Sequence, residues 1–124
     1  MRVLLDTHVF LWSISSPSKL SAVARKQIDA AEVFVSAASI WEISIKCSIG
    51  KLEANPAEVL AGVSSAGFKL LPVTGEHAAK VVELPHVHKD PFDRMLIAQA
   101  SVEPMILLTN DELLRVYGAL VLVI

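Results

Sequence analysis

Cysteine is nearly absent: Cys47 is the single one in 124 residues, so no intrachain disulfide is available to staple the fold. A chain that does without disulfides suits a reducing compartment, and a cytoplasmic location is the expectation. Long apolar runs are missing too, and nothing approaches the roughly 20 residues that a membrane-spanning helix requires. The apolar opening from Val3 to Trp12 is interrupted by Asp6 and His8 and carries no small-residue cleavage site, so it does not read as a secretory leader. The five glycines, Gly50, Gly62, Gly67, Gly75 and Gly118, are scattered and form no phosphate-cradling loop. Basic excess is also lacking, since 11 Lys and Arg against 13 Asp and Glu give a formal net charge of -2. That balance weighs against nucleic acid as a partner. The objection weakens if several acids gather as ligands of cations that cancel their charge locally.

Apolar residues, by contrast, make up 53% of the chain, above the ordinary share. The length suits one domain, which can bury a real core without staples. The apolar excess implies strands buried on both faces, or a surface that a partner covers.

Strands are expected at Arg2–Leu5, Val33–Val35, Phe68–Val73, Met105–Leu108 and Leu120–Val123. Helices are expected over His8–Ser13, from a Ser21 cap to about Ala31, over Ala38–Ile49 with Gly50 as the stop, and from Asn55-Pro56 to near Gly67. Three more should cover Thr74–Leu84, Asp90-Pro91 to Ala100, and Asn110–Val116. Helices alternating with continuous apolar strands imply an α/β fold, with a parallel sheet covered on both faces. Ligands of such sheets bind at the carboxyl ends of the strands.

Acids fall at that end. Asp6 closes the first strand, where a desolvated carboxylate needs a cation or donors, although a turn or N-cap role also fits Asp. Glu42 shares a narrow polar stripe with Ser39 and Lys46 on an otherwise apolar helix; a Glu42–Lys46 surface pair is the plain alternative. In Asp90-Pro91-Phe92-Asp93 one acid suffices as a helix cap, which leaves the second to be explained. Thr109 and Glu112 fit a capping box after the fourth strand, and Asp111 is left over. Carboxylates converging on one sheet edge repel one another unless hard divalent cations sit among them, and oxygen ligands favour Mg2+ or Mn2+.

Leu4-Leu5-Asp6-Thr7-His8, Ser36 to Ile43, Asp90-Pro91-Phe92-Asp93-Arg94 through Ala100, and Leu108-Thr109-Asn110-Asp111 together resemble the PIN-domain ribonucleases. The likeness is greatest to the VapC-type toxins of toxin–antitoxin pairs, and it spans nearly the whole chain. It implies a single three-layer α/β/α domain over 1–124, with a five-stranded parallel sheet in the order 3-2-1-4-5. It also implies a Mg2+- or Mn2+-dependent endoribonuclease acting on tRNA or rRNA. The family's acidic residues carry over onto Asp6, Glu42, Asp93 and Asp111, as catalytic and metal-holding groups. Thr7, Ser39, Asp90, Thr109, Lys46 and Arg94 are candidate accessories. RNA is the implied substrate and a small antitoxin protein the implied partner. The apolar composition adds the expectation of a homodimer.

Rival readings fare worse. A receiver-type signalling domain wants two adjacent acids after the first strand, where Asp6-Thr7 stands; an Asp-nucleophile phosphatase wants a second Asp at the position of His8. A catalytically inactive PIN-like binding module has no reason to keep all four acids. His86 and His88 with Asp90 make a poor zinc site, because further ligands are lacking and a solvated loop accounts for them. Cys47 reads as core, and Trp12 and Trp41 as packing or interface residues rather than base-stacking platforms.

Overall fold

The computed structural model describes residues 1–124. Five strands, β1 (Arg2–Leu5), β2 (Glu32–Ser36), β3 (Lys69–Leu71), β4 (Ile106–Thr109) and β5 (Val121–Val123), form one sheet in the order β3-β2-β1-β4-β5. Every pairing is parallel, with Val3 opposite Val33 and Ile106, and Leu5 opposite Val35 and Leu108. Six α-helices cover the sheet: α1 (Thr7–Ser15), α2 (Ala22–Ala30), α3 (Ala37–Ser48), α4 (Pro56–Ser65), α5 (Gly75–Lys80) and α6 (Pro91–Val102).

Period-2 alternation along the central strand assigns the two faces. Val3 and Leu5 enter a core with Phe10, Ile28, Ile43 and Val63 from α1 to α4. Leu4 enters a second core with Leu96, Ile97, Ala100 and Leu114, chiefly from α6. Both faces of β1 are dry, and this is why its sequence is a continuous apolar run. The architecture is therefore the three-layer α/β/α arrangement that the sequence implied, in the same strand order. No helix is long and apolar enough to cross a membrane.

Three elements differ from expectation, each for a local reason. β3 stops at Leu71 rather than Val73, because Pro72 has no N–H to give to the ladder. The helix expected through Leu84 ends at Lys80 and continues as a 3-10 turn, Val81–Glu83. The last helix is 3-10, runs over Glu112–Leu120, and contains Gly118 at φ 85, ψ -148. That conformation belongs essentially to glycine, and it turns the chain directly into β5.

Gly118→Ala should therefore lower unfolding stability by about 1–3 kcal/mol. Gly75→Ala, on a helix with open space around the added methyl, should leave stability unchanged or raise it. Urea titrations of both variants test this, and equal stabilities would show that Gly118 carries no backbone strain.

Candidate metal centre

The site is assembled at the carboxyl end of the sheet, where β1, β2 and β4 each run straight into a capped helix. Asp6 caps α1: its Oδ1 accepts the Val9 N–H at 2.8 Å. Its Oδ2 accepts the hydroxyl of Thr109, the last residue of β4. Asp6 is only 5% exposed. Burial pushes its carboxyl above the usual range, although the hydrogen bonds from Thr109 and Val9 work in the opposite direction.

Ser36 caps α3 by accepting from Ala38 N–H at 2.9 Å, and the helix then carries Glu42 inward. Glu42 is 7% exposed; its Oε1 accepts the Thr7 hydroxyl at 2.7 Å, and its Oε2 meets Lys46 Nζ at 2.8 Å. With that proton committed, Ser39 Oγ, 3.0 Å from Thr7 Oγ1, is left to donate to it. The Glu42–Lys46 pair expected on the surface thus forms, but around a buried carboxylate.

Asp90 caps α6 and accepts from the N–H groups of Phe92 and Asp93 through Oδ1. Asp93 sits three residues into the helix with Oδ2 2.8 Å from His88 Nε2. Its carboxyl is pushed up to about 6, chiefly by burial and further by the charges of Asp90 and Asp6, with His88 pulling it down. Asp111 caps the final 3-10 segment by accepting Leu113 N–H at 2.9 Å, and its own N–H donates to Thr109 Oγ1 at 3.0 Å.

Asp6, Glu42, Asp93 and Asp111 all open on one recess of about 250 Å³, none of whose ten lining residues is hydrophobic. Thr7, Lys46 and Asp90 line it as well. Ser39 and Thr109 stand behind the wall and hold Thr7 and Asp6. Ligating atoms of His88, Asp93 and Asp111 lie within 4.8 Å of one another. Five carboxylates face a single ammonium, Lys46, and the two that are most perturbed have raised pKa values. A donor set of this kind fits a hard divalent cation, whose charge would relieve the repulsion.

The match of residues 3–120 to the PIN-domain family model decides the lineage. The chain belongs to the PIN-domain family. Ribonuclease VapC22 of Mycobacterium tuberculosis is 32% identical over 116 residues, which is 91% of this chain and 89% of that protein. The VapBC2 structure from Rickettsia felis, bound to a DNA fragment from its promoter, superposes with a TM-score of 0.71 at 12% identity, covering 100% of this chain and 98% of that one. DNA-bound VapBC from Salmonella typhimurium gives 0.66 at 20% identity, covering 97% and 92%. The resemblance to VapC-type PIN proteins read from the sequence is borne out.

Within this PIN domain several local expectations need correction. Arg94 does not face the acidic recess. Its Nη1 donates to the carbonyls of Pro85 (2.9 Å) and His88 (3.4 Å), and its Nη2 to Val81 (3.1 Å). It therefore organises the loop before α6. Thr109 and Glu112 form no capping box, because the Thr109 hydroxyl oxygen accepts the Asp111 N–H instead of that of Glu112, and the Glu112 carboxylate pairs with Arg115 at 2.8 Å. His88 is not a solvated loop residue: its side chain is 14% exposed and holds Asp93, while His86 stays outside. Cys47 is only partly buried, with Sγ donating to the Ala54 carbonyl at 3.3 Å. His8, His88 and Asn110 line the recess without having been singled out for it. His8 and Asn110 flank the strand-end acids and were open to the same argument. His88 was weighed only as a zinc ligand with His86 and Asp90, and its link to Asp93 depends on the loop that Arg94 holds.

The raised Asp93 pKa has a definite sign in stability. The folded value of about 6 exceeds the ordinary 3.8, so the contribution of this group is fully present below about pH 4 and lost as pH rises through 6. Asp93→Asn should then stabilise the metal-free protein by up to roughly 3 kcal/mol at pH 8 and by about half as much at pH 5. Urea unfolding with chelator at both pH values measures it. A stability gap that grows toward pH 5 would contradict the burial of charge at this position.

Proposed function

We propose that this PIN domain is a VapC-type endoribonuclease, the toxin of a type II toxin–antitoxin pair, which hydrolyses RNA phosphodiester bonds with Mg2+ or Mn2+. The observation that carries the reading is the meeting of Asp6, Glu42, Asp93 and Asp111 in one wholly polar recess. The 32%-identical relative is itself a ribonuclease, which supports RNA as substrate, with tRNA or rRNA as the expected class.

The four acids are the groups that would hold one or two ions, with His88, which lines the same recess, steadying Asp93. Bound there, a divalent ion supplies the positive charge that activates water and stabilises the leaving oxygen of an in-line displacement. The chain prepares for this by orientation. Thr109 and the Val9 amide fix both oxygens of Asp6, and Thr7 with Lys46 fixes both oxygens of Glu42. Lys46 also balances part of the acidic charge that would otherwise repel a phosphate.

Asp6→Asn should leave the fold intact and cut metal-dependent RNA cleavage by at least about 100-fold, beyond what loss of a merely supporting group costs. Asp90→Asn should do far less, because Asn is an equally good cap. Cleavage assays with Mn2+ and with chelator decide it. Unchanged cleavage by Asp6→Asn would end the reading, and equal losses in both variants would shift the essential role toward Asp90.

A protein partner is part of the proposal. A solved structure of similar fold from Klebsiella pneumoniae is a toxin–antitoxin complex, and here Ile45 of α3, Ile49 at its C-cap and Val23 of α2 stand in water at 36%, 59% and 67% exposure. Apolar helix faces of this kind suit a second copy of the chain and an antitoxin helix. An antitoxin Arg or Lys reaching the acidic recess would neutralise its carboxylates. Light scattering should show a homodimer that gains mass with the product of an adjacent small reading frame. A strict monomer that ignores that product would leave the nuclease but remove the toxin.

A further inference from the structure

Beside the acidic recess lies a second one of opposite character, about 730 Å³ in volume, with eight of its eleven lining residues hydrophobic. It opens between the first turns of α3 and α6 and the side of α5. Three consecutive pairs divide between the two: Trp41 faces the apolar recess and Glu42 the acidic one, and Phe92 and Asp93 do likewise, as do Lys89 and His88. The two recesses thus share a wall.

Two features of the apolar recess call for a ligand. Trp41 is 64% exposed, and its ring meets Phe92 edge-on, with centroids 5.3 Å apart at 73°. That contact fixes the tilt of the indole without covering both of its faces. Arg94, only 8% exposed, has no carboxylate partner; its guanidinium bonds are to the carbonyls of Val81, Pro85 and His88 and, at 3.5 Å, to Tyr117 Oη. All of those acceptors are uncharged, and none of the bonds engages Nε. Only Gln27 Oε1 and Gln99 Oε1 are sealed from solvent without a partner, so the unpaired Arg94 Nε keeps access. A guanidinium without an anionic partner and with an unpaired N–H suits a phosphate oxygen. Lys89, exposed beside it, adds a second cation.

We propose that the apolar recess is a nucleotide subsite for the RNA strand being cut, in which a base stacks on Trp41 and Phe92 while a phosphate is taken by Arg94 and Lys89. The inference rests on the nuclease reading of the adjoining acids. An apolar protein segment seated there would leave the buried Arg94 charge uncompensated, whereas a phosphate completes it. Stacking also suits a site without base-edge donors, because every base offers a π-face.

The test uses a mixed-sequence 2′-O-methyl hexaribonucleotide with chelator present, so that binding is read without cleavage. In a Trp12→Phe background the probe should quench Trp41 fluorescence. By anisotropy of the labelled probe, Trp41→Ala should weaken binding about 5- to 100-fold, with Trp41→Phe restoring most of it. Lys89→Ala should lower the salt slope of binding by about 0.7. Absent quenching, wild-type affinity in Trp41→Ala, or an affinity loss that tracks conversion of a dimer to a monomer in light scattering would overturn the subsite. The two readings separate cleanly. Probe binding through Trp41 without Mn2+-dependent cleavage ends the nuclease and keeps the subsite. Normal cleavage with unchanged KM in Trp41→Ala ends the subsite and keeps the nuclease.

Discussion

A carboxylate buried at the end of the central strand sets the terms for everything around it. β1 lies between β2 and β4, so whatever ends β1 is surrounded by the ends of its neighbours. Asp6 at that point is desolvated, and an isolated carboxylate there would be expensive. The structure answers with a helix start on one oxygen and a strand-end hydroxyl on the other. Thr109 then does double service, since the same hydroxyl accepts from the Asp111 amide and so fixes where the next acid lies. One solvation requirement thereby ties β1, α1, β4 and the final 3-10 segment into a single corner.

Capping and ion holding also stop being rival roles once the oxygens are followed individually. Asp6, Asp90 and Asp111 each use Oδ1 to satisfy helix N–H groups. In Asp90 and Asp111 no protein donor occupies Oδ2, which remains for a ligand. A helix start thus presents acids to a cation as a by-product of satisfying its own backbone. This explains why Asp6 and Asp90 each had an adequate structural account when taken alone in the sequence.

The sheet was legible in the sequence because a strand buried on both faces must be apolar throughout, and short runs such as Val3-Leu4-Leu5 and Ile106-Leu107-Leu108 alternate with longer capped helical segments. Caps at Ser21, Asn55 and Asp90 were legible because the N-terminal N–H groups of a helix need acceptors nearby. What escaped depends on contacts between segments far apart in the chain. The Thr109–Glu112 box satisfied every local rule, yet the Thr109 hydroxyl gives its proton to Asp6, 103 residues away, and accepts from Asp111. His88 entered the site because Arg94 grips the carbonyls of its loop, and a side chain binding carbonyls leaves no periodic trace. Arg94 itself was placed by its neighbour Asp93, yet adjacent helix residues point about 100° apart.

That angular offset is what gives α6 two functions from one turn. Asp90 and Asp93 lie three apart and share a face, so their charges sum in the acidic recess. Phe92 and Arg94 lie on the other side, so the apolar and cationic character collects there. α3 repeats the division with Trp41 and Glu42. A net charge of -2 therefore says little about nucleic-acid binding, because it averages over two neighbouring fields of opposite sign. One field needs a cation before it tolerates a phosphate; the other holds a buried cation that lacks an anion. A phosphodiester bound with its divalent ion would satisfy both, and the two deficits lie on opposite sides of a wall made of consecutive residues.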